Sequence, residues 1–474
     1  MKLYKLGRYV AACTMLMGAS ACNTDFTGVN VNPNSPAKVG NNLMLSALTA
    51  TFSLGVIGSW PSSLSAEWMQ QISHNGPRAN MRIEDYEIFP SEADRLWNVS
   101  YDQIMGNARI LNDQATASGD FAYSGIAKVL YAWNLSVVAN MWGSAPFSQA
   151  WDPTIPHPKY DTQQELYTAV FAILDSGITD LGKQSLHAPG TDDLLYHGNV
   201  AKWLKLANVL KAQLNLTVSS ASGENKQARA QAALTALRAG FVSNSDDADF
   251  QYFDVNGQRN PWYQSMTDPR LQMSAHYVDL LTSTNDPRLA FQASPTIASG
   301  GYVGHPNGGG GVDTTTISSV NRIFRAPDAK LTWLSYASAK ETEAEATLIV
   351  SGAAAADAPY REGIRANMAK LGVSAADQAT YLATIPSLSS SSNPLRDIIT
   401  QKYIINFLNY QPWDDWRRTG YPDLTPVADA LLPSIPVRFM TPGGELSTNA
   451  DAVTASGIDP GITGMLVHVW WDPQ

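Results

Sequence analysis

Apolar residues recur along most of the chain with the spacing of one helix face. Trp97, Tyr101, Ile104, Ala108 and Leu111 follow one another at steps of four, three, four and three residues. A stripe at this spacing covers one side of an α-helix and predicts an amphipathic helix that packs on a core. The same spacing predicts further helices at 43–54, 62–72, 130–141, 162–181, 203–218, 226–239, 274–281, 331–351, 360–370 and 395–408.

The predicted helices come in neighbouring pairs separated by short breaks. This is the arrangement of tetratricopeptide-type proteins, in which helix pairs stack into a superhelix. Thr162 and Glu165 have the spacing of a capping box at one helix start. Strand signals are few: 466–471 is the best candidate and 250–253 is a weaker one. We therefore predict a mostly α-helical fold, an α-α superhelix of tetratricopeptide-like pairs with few short strands.

A long stretch, 243–325, breaks the helical pattern. It contains two Asp-Pro pairs and four consecutive glycines at 308–311, which indicate turns and a flexible run. We interpret it as a loop-rich insertion within one helical domain that covers 42–474. Long irregular segments of compact proteins commonly carry the functional residues. The alternative is a decorated surface that binds no ligand.

The first 21 residues have the pattern of an export signal. Three basic residues precede an apolar stretch at 9–18, which is too short to span a bilayer, and small residues follow at 19–21. Cys22 comes next, as in bacterial lipoprotein signals, where the cysteine is acylated. We predict a signal peptide at 1–21, lipid attachment at Cys22 and a tether rich in Asn and Pro at 22–41. An ordinary secretion signal with an incidental cysteine is the alternative.

Charge and motif content narrow the classes of function. The net charge of −10 disfavours nucleic acid and anionic lipid as partners, so membrane contact is expected through the lipid anchor only. Nucleophile-elbow, zinc-protease, zinc-finger and phosphate-loop motifs are all absent from the sequence. We therefore predict no catalytic residue, no metal site and no cofactor. The acidic residues at 246–249 lack the spacing of a calcium loop, and we interpret them as a solvated turn.

Several segments, taken in order, resemble motifs of the SusD/RagB family of outer-membrane nutrient-binding lipoproteins, and within it the SusD-like group. They are MWGSAPFSQA at 141–150, PKYDTQQELY at 158–167, WLKLANVLK at 203–211 and WDDWRRTGYP at 413–422. The resemblance runs from Cys22 to Asp472. In the last motif, Arg417 and Arg418 lie beside Asp414 and Asp415. We predict that these four side chains form a structural ion-pair network around Trp413 and Trp416.

The resemblance implies both a fold and a role. It implies four tetratricopeptide-like helix pairs as a scaffold, with loops that face the ligand. It also implies a lipid-anchored protein of the outer membrane that faces the exterior. Such a protein binds oligosaccharide or peptide and delivers it to a SusC-like TonB-dependent transporter, without breaking bonds. An exported glycoside hydrolase on a helical scaffold and a protein-assembly module without a small ligand are the alternatives.

Sugar binding favours aromatic rings for stacking and polar side chains for hydrogen bonds. The segment 260–263 and the neighbourhood of the glycine-rich run provide the rings. The break after the second helix, 74–80, provides the polar partners. The candidate ligand-binding residues are therefore Trp262, Tyr263, Tyr302, His74, Asn75 and Arg78.

Overall fold

The computed structural model describes residues 39–77, 82–267 and 269–472. The predicted signal peptide, Cys22, most of the tether and Arg78 lie outside the described residues. The helices that precede the predicted insertion are α1 Asn41–Phe52, α2 Trp60–Trp68, α3 Pro90–Asn98, α4 Gly106–Ser118, α5 Phe121–Trp142, α6 Gln163–Leu181, α7 Val200–Thr217 and α8 Lys226–Leu237. Helices α1 and α3 continue as π-helical turns at Ser53–Ile57 and Val99–Met105.

The remaining helices fall into two groups. Four short ones lie in the predicted insertion: α9 Pro261–Ser265, α10 Ala275–Ser283, α11 Leu289–Gln292 and α12 Arg322–Arg325. Those that follow are α13 Tyr336–Ser351, α14 Ala353–Leu371, α15 Ala375–Thr384, α16 Pro394–Ile405, α17 Gln411–Thr419, α18 Gly443–Thr448 and α19 Ala450–Ala455. The strands are β1 Ile72–His74, β2 Ala145–Pro146, β3 Tyr160–Asp161, β4 Asp249–Phe250, β5 Leu271–Met273 and β6 Leu331–Thr332. They form three antiparallel pairs, β1–β5, β2–β3 and β4–β6.

Consecutive helices pack on one another through the middle of the chain, which confirms the predicted helical fold. Contacts run from α4 to α5, α6, α7 and α8 in turn. The series then passes from α8 directly to α13 and on to α14. Because α8 and α13 are neighbours in space, the segment between them is an insertion into the stack of helices.

Helix α5 is the centre of this stack. All of its residues except Phe121 and Lys128 are buried. Gly125 allows α6 to approach closely, since a Cβ atom at this position would lie 2.7 Å from Leu181 Cγ and 2.9 Å from its backbone nitrogen. A side chain at position 125 would therefore push α6 away.

The stretch Asn41–Trp68 has the length and apolar composition of a membrane-spanning helix. The backbone nevertheless breaks at Ser59, which is extended and precedes α2. Leu45 and Phe52 are fully buried among the other core residues. We interpret α1 and α2 as core helices, because a buried helix passes the same test of composition.

Three sequence-based predictions need correction. Segment 466–471 is not a strand: a 3-10 helix covers Ile462–Leu466, and the indole of Trp471 is fully buried as an anchor. The helix predicted at 331–351 begins only at Tyr336, because β6 pairs with β4 before it. Of the strand predicted at 250–253, only Phe250 lies in a strand, as the last residue of β4.

Most of the WDDWRRTGYP motif lies in α17, and two of its charged side chains, Asp415 and Arg418, meet Glu345 and Lys402 in the core. Arg418 pairs with both Glu345 and Asp415, and Lys402 Nζ lies 3.1 Å from Glu345 Oε2 and 2.8 Å from Asp415 Oδ1. All four side chains are at most 4% exposed. The cluster joins α13, α16 and α17 at one point, so the predicted structural role is confirmed.

Arg417 forms the second half of this network. It pairs with Asp414, and its guanidinium lies 3.7 Å from the ring centre of Trp413 and 4.6 Å from that of Trp471. The predicted position of the network beside Trp413 is confirmed. Among the described residues, the second ring is Trp471 and not the predicted Trp416.

Candidate functional site

The insertion is attached to the helical scaffold by a two-stranded sheet. Strand β1, just after α2, pairs antiparallel with β5, and Ser73 lies opposite Gln272. The pairing continues beyond the strands, because the Asn75 N–H donates to Arg270 O over 2.6 Å. The structure therefore brings the predicted polar break at His74 and Asn75 against the insertion.

A buried carboxylate ties the glycine-rich run to this sheet. Glu84 accepts hydrogen bonds from the His74 N–H at 2.8 Å, from Asn307 Nδ2 at 2.8 Å and from the Gly308 N–H at 3.1 Å. Asn307 Nδ2 also donates to Ile72 O over 3.0 Å. Three chain segments thus meet at one side chain.

Two further contacts hold the far end of the glycine-rich run. Asn75 Nδ2 donates to Val312 O at 2.9 Å, and Asn75 Oδ1 accepts from the Val312 N–H at 2.7 Å. His305 lies 2.8 Å from Ser73 Oγ through Nδ1, and its Nε2 lies 3.0 Å from Gly310 O. The run at 308–311, which the sequence predicts to be flexible, is thus hydrogen-bonded to neighbouring segments at both of its ends.

Burial raises the pKa of two carboxyl groups in this region, Glu84 and Glu67. Removal from water raises the pKa of Glu84 to about 7, despite the donors that stabilise its charged form. The pKa of Glu67 on α2 is also well above its usual value, because the group is buried and Glu84 lies nearby. The charge of Glu84 thus adds to burial in raising the pKa of Glu67.

The structure divides the predicted ligand-binding residues into two places. We call the first place the loop face, defined by residues 72–77 and 302–312. His74 and Tyr302 are half-buried there, whereas Asn75 is 5% exposed and uses its amide to hold Val312. A Cβ atom on Gly76 would lie 3.2 Å from both His74 Cε1 and Arg270 Cδ, so a side chain at Gly76 would crowd this surface.

Trp262 and Tyr263 lie in the second place, away from β1. The predicted loop is the short helix α9, because Asn260 caps it by accepting from the Trp262 N–H at 2.7 Å. Trp262 is 3% exposed, so the prediction of an exposed stacking ring is wrong for this residue. Tyr263 remains half-buried, with the Arg259 guanidinium 5.5 Å from its ring centre.

Trp262 lines a cavity of about 400 Å³. Its other walls come from Phe324, from residues 330–335 around β6, from the end of α14 and from the 405–409 link between α16 and α17. Lys370 lies in this wall and donates to Asp247 and Asp249, each at 2.7 Å. Neither the cavity nor this ion pair was predicted, because each joins segments that are far apart in sequence.

The acidic residues considered as a calcium site are used in ion pairs. Asp246 accepts from Lys205 Nζ at 2.9 Å, and Asp247 and Asp249 share Lys370. The described part of the chain contains no group of three or more side chains placed to hold a metal ion. The interpretation of 246–249 as a solvated turn is wrong for Asp246 and Asp247, because both are buried.

Comparison with known sequences identifies a family. Residues 33–442 match a SusD-like family model that is described as starch-binding and associating with the outer membrane. No curated protein sequence matches the chain at a significant level.

Solved structures share the fold at low sequence identity. A SusD/RagB family protein from Bacteroides thetaiotaomicron is 23% identical with a TM-score of 0.78, and the match covers 92% of this chain and 99% of that one. A chitin-binding SusD homologue from Flavobacterium johnsoniae is 21% identical with a TM-score of 0.78, over 91% and 98% of the two chains. A further structure, named a chitin-binding protein, is 23% identical with a TM-score of 0.79, over 92% and 100%.

Proposed function

Because the chain belongs to the SusD-like family, described as starch-binding and associating with the outer membrane, we propose that it binds an oligosaccharide nutrient and does not cleave it. The loop face is the proposed binding surface. Cys22 attaches the protein to the outer membrane through acyl chains, with the loop face towards the exterior. The bound ligand passes to a SusC-like TonB-dependent transporter.

The observation that supports this site is the set of hydrogen bonds that holds the loop face. Glu84 and Asn75 hold the two ends of the glycine-rich run, so the surface needs little ordering when a ligand arrives. A surface that is ordered in advance loses less entropy on binding and so gains affinity. Helix pairs supply the rigid support, and the insertion supplies the variable surface.

Two residues of the loop face and the adjoining Arg78 are proposed to contact the ligand. His74 and Tyr302 are half-buried, so each remains partly exposed to solvent. Arg78, outside the described residues, stays a predicted contact. Asn75 is reassigned from a contact to a positioning residue, because its amide is already occupied by Val312.

A ligand panel tests this function. The full-length protein is run on native gels that contain starch, chitin derivatives, xylan or mannan, and chitin derivatives are included because two similar structures are named as chitin-binding. We expect one polysaccharide to retard the protein, and His74→Ala to reduce the retardation. His157→Ala, at an exposed histidine outside the loop face, is the matched control and should leave it unchanged.

Two outcomes of the panel would contradict the proposal. Release of new reducing ends from the retarding polysaccharide would support the glycoside hydrolase alternative. Failure of every polysaccharide to bind, and of a peptide digest tested beside the panel, with the transporter still bound, would support the assembly module.

The anchor and the partner are tested together in membranes. We expect the wild-type protein to fractionate with the outer membrane and to co-purify with a TonB-dependent barrel. Cys22→Ala should release it into the soluble fraction, because acyl chains hold a protein on a bilayer through their buried CH₂ groups. Retention of the Cys22→Ala protein on the membrane without the barrel would contradict lipid attachment at this residue.

A further inference from the structure

We propose that the cavity beside Trp262 is a second binding pocket, and that it takes one or two rings of a neutral sugar. The loop face and this cavity are separate, because none of the described lining residues of the cavity belongs to 72–77 or 302–312. The choice of a sugar rests on the proposed function. The existence of the pocket and its preference for a neutral ligand rest on the structure alone.

The size and lining of the cavity suit a small amphipathic ligand. Its volume of about 400 Å³ falls in the range of roughly 300–1,000 Å³ that is usual for small-molecule sites. Phe324 and Phe407 supply ring surface, and Asn367, Asn406 and Asn409 supply amides. A sugar ring has an apolar face of C–H groups and an edge of hydroxyls, which such a lining can contact at the same time.

Two hydrogen-bond donors of the lining are unused. Trp262 Nε1 and Asn406 Nδ2 are buried and have no hydrogen-bond partner within the described part of the chain. A buried donor without a partner has lost its hydrogen bonds to water and so lowers stability. An acceptor that reaches it would recover this loss. Neither atom is open to water in the cavity, so a sugar hydroxyl can accept from it only when the side chain turns towards the ligand.

Two lysines line the described part of the cavity wall, and Lys370, the less exposed of them, has no donor free for an anionic ligand. Lys370 Nζ donates to Asp247 Oδ2 at 2.7 Å, to Asp249 Oδ1 at 2.7 Å and to Thr332 Oγ1 at 2.9 Å. An ammonium group has three N–H donors, and all three are used. The two carboxylates that face it would repel a uronate or a phosphate. We therefore expect the pocket to prefer a neutral ligand, and an anionic probe tests whether the exposed Lys330, which also lines the cavity, binds an anion instead.

Two variants alter the pocket without touching the loop face. Asn406→Asp removes the unused donor, keeps the side-chain shape and adds acceptor oxygens. Ile323→Trp adds bulk at a lining residue that is 49% exposed, so it narrows the entrance without disturbing the core. Ile297→Trp, at a residue of the insertion that is 85% exposed and does not line the cavity, is the matched control.

The test is calorimetric titration of the full-length protein in a detergent without a sugar headgroup. The probes are glucose, N-acetylglucosamine, maltose and the anion glucuronate. We expect saturable binding of at least one neutral probe, and binding about tenfold or more weaker in Asn406→Asp and Ile323→Trp, which is the loss from one good contact. Ile297→Trp and His74→Ala should bind this probe like the wild type, and glucuronate should not bind.

The outcomes separate this inference from the proposed function. If an oligosaccharide binds in a His74-dependent way but no neutral probe responds to Asn406→Asp or Ile323→Trp, the pocket is overturned and the proposed function stands. Tighter binding of glucuronate than of glucose overturns the preference for a neutral ligand. If a neutral probe binds through the pocket while no oligosaccharide binds the loop face, the pocket stands and the proposed function fails.

Discussion

Asn75 and Val312 hold each other through a reciprocal pair of hydrogen bonds, although 237 residues separate them in sequence. The amide nitrogen of Asn75 donates to the carbonyl oxygen of Val312, and its amide oxygen accepts from the Val312 N–H. The Asn75 residue is 5% exposed, so water has little access to compete with this pair. The contact fixes the end of the glycine-rich run against the strand that leaves the helical scaffold.

We predict that Asn75→Ala frees the glycine-rich run while the helical stack stays folded. Loss of a buried partner costs about 1–3 kcal/mol when the other groups remain unsatisfied. Amide hydrogen exchange in peptides that cover 308–312 should become faster, whereas exchange in α5 should not change. Asn107→Ala, at a solvent-exposed side-chain hydrogen bond, is the control. Unchanged exchange at 308–312 in Asn75→Ala would show that other contacts hold this run.

The carboxyl groups of Glu67 and Glu84 make stability depend on pH. Burial raises the pKa of Glu84 to about 7 and that of Glu67 well above its usual value, so the folded state keeps protons that the unfolded state has lost. This contribution is fully present below the unfolded pKa of roughly 4.5 and is lost as the pH rises through about 7. The free energy of unfolding should therefore fall between about pH 5 and pH 8, by at most on the order of 3 kcal/mol for Glu84.

Urea unfolding across this range checks the prediction through a difference between variants. Glu67→Gln cannot ionise, so its stability should decline less steeply with pH than that of the wild type. Asp113→Asn, at an exposed carboxylate, should follow the wild-type slope. Equal slopes for wild type and Glu67→Gln would mean that the folded state does not raise the pKa of Glu67.

The buried cluster of Glu345, Lys402, Asp415 and Arg418 should be intolerant of single changes. Lys402→Met leaves the two carboxylates with one cation, and breaking a buried pair in this way costs about 3–5 kcal/mol. We expect a marked loss of thermal stability or of soluble yield, measured by differential scanning fluorimetry. Arg396→Met removes an exposed pair with Asp423 and should change stability by about 1 kcal/mol or less. Similar melting temperatures for the two variants would show that Lys402 contributes no more than a surface ion pair.

The helical scaffold could be predicted from sequence because its signals are local. The capping box of Thr162 and Glu165 is present as expected, and the stripe through Trp203 and Leu210 lies on a buried helix face. The strand prediction at 466–471 was wrong, because a short apolar run has the same sequence pattern whether it pairs as a strand or packs in the core without pairing. The outcome depends on whether another strand lies beside the segment, and none does among the described residues.

The candidate site was harder to predict because it depends on contacts between distant segments. The sequence places His74 and Asn75 in a polar break, but it does not show that β5 and Val312 meet them there. Trp262 looked like a loop residue, because the cap at Asn260 and the burial of the indole are tertiary properties. The ion pairs of Lys370 with Asp247 and Asp249 were equally hard to predict, since more than 120 residues separate the lysine from either aspartate.

The central claim is that this protein binds a glycan and releases it intact. Calorimetric titration of the full-length protein with the oligosaccharide selected by the gel panel tests it most directly, when the ligand is afterwards recovered and analysed by mass spectrometry. We predict saturable heat of binding that is reduced in His74→Ala and preserved in His157→Ala, with the recovered oligosaccharide unchanged in mass. The absence of binding heat for every glycan tested, or recovery of shortened oligosaccharides, would contradict the account.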